Sequence, residues 1–334
     1  MANQNGDTSG ADRGSVAVTG ATGFVGRAVV DELLERGWRV RALARGRERA
    51  NQWIGDDRIE VVYGDVRDPK TTGDLVAGAS AAIHLVGILR EGRDQKFEEL
   101  HVDATRNVVR ACRDRKVRRY VHMSALGVDD EGRCEYQRTK FEAETIVRGS
   151  DLDWTILRPS LIHGPGGEFA ELIAGWSRGE IPPFIGLPYF RRPEADLRVP
   201  LGGTDYVDPC VQPVFVGDVA AYFAEALERP ETIGEVFNVV GPERMSWPEM
   251  LQFAHGHVPH AKKGLKPMWV PAEIAAAKAQ VASFVGLGRL LPFDAGMATM
   301  GGQDSTAEID RGRGYFDAEP KSFRESFPEY AGTL

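Results

Sequence analysis

In "YQRTK" a tyrosine and a lysine stand four residues apart, at Tyr136 and Lys140. On a helix that spacing puts both side chains on one face. A free phenol, with a pKa of ~10, is a poor base at neutral pH. A neighbouring ammonium favours the phenolate, so the pair is expected to give and take a proton. The same spacing also arises on solvated helices, so its place in the chain must decide between the two readings.

A second constellation lies near the start, in "VTGATGFVGR". Gly20, Gly23 and Gly26 separate a short apolar run from an amphipathic one. Gly20 would make the turn, Gly23 would admit a pyrophosphate, and Gly26 would let helix and strand pack closely. The phosphate would meet free N–H groups at the helix start. Gly20, Thr22, Gly23, Phe24, Val25 and Gly26 are therefore candidate cofactor contacts. At the end of the next apolar run, "ALARGRER" carries Arg45, with Arg47 and Arg49 behind it. An acidic residue there would suit the free ribose of NAD, whereas a guanidinium suits a 2′-phosphate. NADP(H) is expected over NAD(H), with an ordinary solvated basic loop as the alternative. Asp65 and Val66 in "YGDVRD" are placed to meet the adenine, and Val86 and Gly87 to line the route to the nicotinamide.

The elements that must position these residues alternate. "SVAVTG", "WRVRALAR", "RIEVVYGD", "AAIHLVG", "RRYVHMSA" and "DWTILRPS" read as near-continuous apolar strands. Between them run helical stretches, including one from Gln95 to Lys116 and one from about Tyr136 to Arg148. That alternation predicts an α/β fold, a doubly wound parallel sheet of Rossmann type over residues 15–160. Residues 1–14 read as a flexible lead-in without the apolar centre of a signal peptide. Residues 161–334 read as a smaller, irregular lobe, part of which returns to the sheet in "GEVFNVVGPE". Pro- and Gly-rich stretches such as "IPPFIGLPYFRRPEADLRVPLGG" are expected to be loops, as is "HGHVPH" with His255, His257 and His260.

The 334 residues carry a net charge of −8, which leaves no broad basic surface for nucleic acid. The three cysteines, Cys112, Cys134 and Cys210, lack metal-ligand spacing, and such a sparse, odd set fits a reducing compartment. No metal is expected. No run is long enough to cross a bilayer. The Ala-rich "AEIAAAKAQVASFVGL" reads as a core or surface helix, with peripheral membrane contact as the alternative, so a cytoplasmic location is expected.

Taken together, "TGATGFVGR", "GDVRD", "HLVGI", "YVHMSALG", "YQRTK", "LRPSLIHGPG" and "PVFVGDVA" resemble the short-chain dehydrogenase/reductase superfamily, in its extended and atypical branches. They occur in the family's order. The likeness is strongest to an atypical epimerase/dehydratase-type group that includes the NAD(P)-binding accessory subunit of respiratory complex I and proteins linked to ubiquinone synthesis. The resemblance implies a Rossmann fold, a bound dinucleotide and a substrate lobe. It also implies Tyr136, Lys140 and Ser124 as catalytic residues, with Lys140 on the nicotinamide ribose and Pro159 buttressing the ring. Two positions depart from the pattern. Ala125 stands where a second Ser or Thr would orient substrate. His101 stands where an asparagine would organise a proton-relay water, and Asn107 is too far along to replace it. His101 could relay protons or simply sit on the helix surface. Arg191, Arg192 and Arg198 could meet an anionic substrate or lie in a solvated loop. Two functions are carried forward: an NADP-dependent oxidoreductase or epimerase on a small oxygenated substrate, and a non-catalytic NADP(H)-binding assembly protein.

Overall fold

The computed structural model describes residues 13–198, 204–284, 291, 293–309 and 314–334. Residues 1–12 of the expected lead-in lie outside that set. Six apolar runs form strands: β1 (Ser15–Thr19), β2 (Arg39–Ala44), β3 (Ile59–Tyr63), β4 (Ala81–His84), β5 (Arg119–Met123) and β6 (Asp153–Pro159). Helices α1 (Phe24–Glu35), α2 (Arg47–Ala50), α3 (Pro69–Val76), α4 (Ala104–Arg115) and α5 (Glu135–Arg148) connect them. A π-helical turn, Glu98–Asp103, leads into α4.

After β6 the chain forms β7 (Ile162–His163), α6 (Glu168–Arg178), β8 (Leu187–Arg198), β9 (Thr204–Val207), β10 (Cys210–Val211) and β11 (Val214–Phe215). Then come α7 (Val216–Glu228), β12 (Val236–Val239), β13 (Met245–Ser246), α8 (Trp247–His257), β14 (Pro267–Pro271), α9 (Ala272–Phe284), α10 (Ala295–Gly301) and α11 (Phe323–Ala331). The main sheet has the order β12-β6-β5-β4-β1-β2-β3, and every neighbouring pair is parallel. Because the chain leaves β1 towards β2 and β3 and then returns to β4, the order reverses between β1 and β4. Ligands of open parallel sheets bind at the carboxyl ends beside such a reversal.

Both faces are covered. Val25, Val29, Val30 and Leu33 of α1 pack with Val219 and Phe223 of α7 on one side. Leu75 of α3, Val108 and Cys112 of α4, and Val147 of α5 pack on the other. The lobe has its own core, in which Ile173 of α6, Met250 and Leu251 of α8, and Phe323 and Phe327 of α11 are fully buried.

Two expectations need correction here. The stretch expected as loops contains β8, a twelve-residue strand held between β14, parallel, and β9, antiparallel. One partner, β9, follows within a few residues, but the parallel one comes from residues 267–271, which local composition could not show. "HGHVPH" is likewise not all loop, since His255 and His257 lie on the last turn of α8. That helix starts from a capping box in which Ser246 and Glu249 satisfy each other's backbone N–H groups, and it runs on through the exposed Gly256.

Two glycines make opposite demands. A Cβ on Gly26 would sit 2.0 Å from the Gly20 carbonyl oxygen and 2.8 Å from Ala21 backbone atoms, whereas one on Gly73, inside α3, meets nothing within 4 Å. Gly26→Ala should cost on the order of 1–3 kcal/mol or more through overpacking. Gly73→Ala should add about 0.5–1 kcal/mol by removing helix-interior glycine. Urea unfolding of both variants checks the pair. A harmless Gly26→Ala would mean that α1 is not seated on β1 as described.

Candidate active site

The glycine loop joins β1 to α1. Gly20 has φ +73°, a conformation open to glycine, and its carbonyl accepts from Gly23 N–H at 2.9 Å. Gly23 is the N-cap of α1 and offers no side-chain cap, so the first N–H groups of the helix stay open to an anion. Val25 is buried in the core, which leaves only its backbone for a ligand. Phe24 turns instead to the lobe, where the turn at Gly164 and Gly167 packs against its ring.

Beyond β2, Arg45, Gly46, Arg47, Glu48, Arg49 and Gln95 line an open cleft of about 590 Å³. Among the described residues Arg45 and Arg49 make no hydrogen bond or ion pair, and Arg47 only stacks over the Tyr63 ring at 5.9 Å. Asp65, past β3, is clamped by Arg67 through Nε at 3.0 Å and Nη2 at 2.9 Å. These bonds, with the more distant Arg45, hold its carboxyl below the ordinary value against the effect of burial. Val66 is buried beside it, and Asn107 donates to the carbonyls of Val66 and Arg67 at 3.4 and 3.0 Å. Asn107 therefore fastens the loop where the adenine is expected, a function the sequence reading missed.

Lys140 on α5 is buried, 2% exposed, and Nζ donates to the Met123 carbonyl at 3.0 Å. Burial pushes its pKa down to about 8, against the opposing pull of Glu144. Glu144 is fully buried one turn on, where Arg158 grips both its oxygens at 2.7 Å and Arg148 adds a contact at 2.6 Å. Gly87, after β4, leaves the space that Lys140 uses, because a Cβ there would come within 2.8 Å of Nζ. Val86 is part-buried beside it. Pro159, buried at the end of β6, accepts from Leu126 N–H at 2.9 Å and so ties the segment after Ser124 to the sheet.

Tyr136 shares the helix face with Lys140, but its hydroxyl makes no hydrogen bond among the described residues. Its ring stands edge-on to His101 at 5.4 Å and to Phe97 at 6.0 Å. Burial, and then Cys134, push the phenol upward from its ordinary value. That reverses the expected direction. Lys140 donates to Met123 and not to the phenol, which the protein's own atoms desolvate. Ser124 is buried, and its Oγ has no partner.

His101 is not on the helix surface. It is 1% exposed, accepts from Ile88 N–H through Nε2 at 3.2 Å, and donates from Nδ1 to Thr139 Oγ1 at 2.9 Å. The Ile88 donor fixes that tautomer. Burial and the nearby Lys140 push its pKa down to about 2, so the ring is neutral. It lies on the π-helical turn Glu98–Asp103 that leads into α4. His84 and His122, paired across β4 and β5, add a buried polar row beneath the site: His84 meets Thr19 Oγ1 at 2.7 Å and stacks on His122 at 5.4 Å. Lone histidines inside the apolar runs "AAIHLVG" and "YVHMSA" were the available signal.

The other candidates lie apart. Arg191 is paired with Asp208 through two bonds and Arg192 with Asp304 at 2.7 Å, so neither is free for an anionic substrate. Arg198 ends β8, and its side chain lies outside the described residues. No group of three or more His, Cys, Asp or Glu among the described residues could hold a metal ion. Gln137, next to Tyr136, donates to Gln303 of the lobe at 2.9 Å and so links the lobe to α5.

Residues 20–172 match the family model described as NAD(P)H-binding. A ceramide reductase of Caulobacter vibrioides is 36% identical over 154 residues, covering 46% of this chain and 48% of that protein. Subunit 9 of the NADH dehydrogenase [ubiquinone] 1 alpha subcomplex of Rattus norvegicus is 28% identical over 72% of this chain and 60% of that protein. The matches thus span about half to three fifths of these relatives' length. The NADPH complex of an NADPH-dependent quinone oxidoreductase from Escherichia coli shares the fold, with a TM-score of 0.67 at 18% identity over 94% of this chain and 99% of that one. These likenesses support a relation to an atypical short-chain dehydrogenase/reductase-type superfamily, and the mostly parallel seven-stranded sheet is Rossmann-like, with an NAD(P)H-binding match over residues 20–172.

Lys140 gives the site a pH signature. As an ammonium it can donate to ribose hydroxyls and attract the anionic dinucleotide, and it loses its proton as pH rises through about 8. NADPH affinity should be level below that pH and fall above it. Lys140→Met should bind more weakly and lose the falling limb. Fluorescence titration across pH checks this, and an unchanged limb in the variant would remove Lys140 from the cofactor site.

Proposed function

We propose that the chain is an NADPH-dependent oxidoreductase or epimerase acting on a small oxygenated molecule. The observation that carries this reading is Lys140: a buried ammonium with one backbone acceptor, beneath a glycine that leaves room above it, one helical turn from an unbonded phenol. When bound, the nicotinamide supplies or accepts hydride. Tyr136 gives or takes the proton of the substrate oxygen, Lys140 holds the ribose, and the free Ser124 hydroxyl orients the reacting group. Gly20, Thr22, Gly23, Phe24, Val25 and Gly26 hold the pyrophosphate, chiefly through backbone N–H groups. Asp65 and Val66 flank the adenine, while Val86, Gly87 and Pro159 flank the nicotinamide. The preference for NADPH rests on Arg45 and its neighbours, which are charged, exposed and without ionic partners.

A second reading has specific support. The upward-shifted phenol and the alanine at position 125 suit a protein that holds NADP(H) structurally and docks on a respiratory or quinone-synthesis assembly. The likeness to a complex I subunit over 72% of the chain favours it too. No helix among the described residues is long and apolar enough to cross a membrane, so on this reading the contact is peripheral.

Tyr136→Phe separates the readings, since it removes the proton donor and keeps the ring. NADPH oxidation against a panel of ketones, aldehydes and quinones should fall by at least ~10²-fold, with NADPH affinity nearly unchanged. Full complementation of a null strain by Tyr136→Phe would instead establish the structural role.

A further inference from the structure

The lobe carries an exposed apolar tip that neither reading uses. Phe184 and Ile185 lie in the loop between α6 and β8, and Ile185 is 74% exposed. Phe184 has φ +62°, a left-handed backbone that an aromatic residue adopts under strain. The loop is nonetheless anchored: Trp176 Nε1 donates to the Pro182 carbonyl at 2.9 Å, and Phe184 N–H to the Ile181 carbonyl at 3.1 Å. Its shape is therefore set by the fold, which presents two large apolar side chains to solvent.

The segment entering β14 runs alongside. Lys262 N–H donates to the Ser177 carbonyl at 2.7 Å, and Leu187 N–H to the Lys266 carbonyl at 2.9 Å. Lys262, Lys263 and Lys266 are exposed, and none makes an ion pair among the described residues. Across these two segments, 179–187 and 259–267, Glu180 is the one carboxylate. In a chain of net charge −8 this is a local inversion of sign. The adjoining α9 also turns apolar side chains outward, Ile274, Val281 and the 93%-exposed Phe284, beside Lys278 and a Glu273 bonded to Tyr206. Apolar side chains beside a segment of unpaired lysines match the headgroup region of an anionic bilayer, which takes the apolar groups below its surface and pairs the cations at it.

We propose that the Phe184–Ile185 tip and its three lysines dock the protein peripherally on an anionic lipid surface. This stands whether the dinucleotide is turned over or structural. It is tested by flotation of the full chain with vesicles of phosphatidylcholine alone and of phosphatidylcholine mixed with phosphatidylglycerol. The wild type should float with the mixed vesicles and be released as salt is raised. Lys262→Glu/Lys263→Glu/Lys266→Glu should lose affinity on the order of a hundredfold or more. Phe184→Ser/Ile185→Ser should weaken binding while leaving its salt dependence. Melting with and without NADPH on the same preparations shows that each variant is folded, and keeps a failure of lipid docking distinct from a failure of cofactor binding. Three results would overturn the proposal: no flotation of the wild type at low salt, binding that both variants retain in full, or self-association through the tip without lipid binding, seen by analytical ultracentrifugation.

Discussion

The close seat of α1 on β1 is the constraint on which the remainder depends. No side chain fits between Gly26 and the Gly20 carbonyl, and Gly20 itself holds φ +73°. Only with both glycines in place can the helix start directly over the strand end and aim its uncapped N–H groups at the crevice between β1 and β4. The arginines past β2, the clamped Asp65 past β3 and the Gly87 gap past β4 open on the same carboxyl edge. A binding site for a long anionic ligand thus follows from strand order and from one point of backbone contact.

At the other end of that crevice the chain buries a cation. Lys140 is tolerated because Met123 accepts one of its protons and Glu144, fixed by Arg148 and Arg158, lies one turn away. An ammonium so desolvated, with only one hydrogen bond, remains poised to donate to a ligand. The same dry surroundings raise the phenol of Tyr136, so the proposed acid–base role suits proton donation from the neutral phenol in the protein without cofactor. His101 holds Ile88 and Thr139 together and is sealed by those bonds, which makes it a brace between the end of β4 and α5.

The parallel sheet was legible because each strand is a local apolar run and each crossover a local helix. The glycine loop was legible for the same reason, since turn, approach and packing are set within seven residues, Gly20 to Gly26. What escaped was decided at a distance. Composition marked the stretch around Pro188 and Pro193 as loop, yet β14, about eighty positions on, pairs with it as strand. Arg191 and Arg192 looked free, but Asp208 and Asp304 neutralise them from 17 and 112 positions away. The direction of the Tyr136 shift is set by burial among side chains from other elements, which four-residue spacing alone could not show. For His101 the surface alternative falls, because its partners Ile88 and Thr139 lie 13 and 38 positions away.

The most direct measurement is thermal unfolding in the presence of NADPH, NADH and neither. A ligand that binds only the folded chain at a hundredfold excess over its Kd adds ~2.7 kcal/mol. The cradle and the unpaired arginines predict a clear upward shift in melting temperature with NADPH and a smaller one at equal concentration of NADH. They also predict that Arg45→Asp erases or reverses this order. A melting temperature that neither nucleotide moves would contradict the site at its foundation.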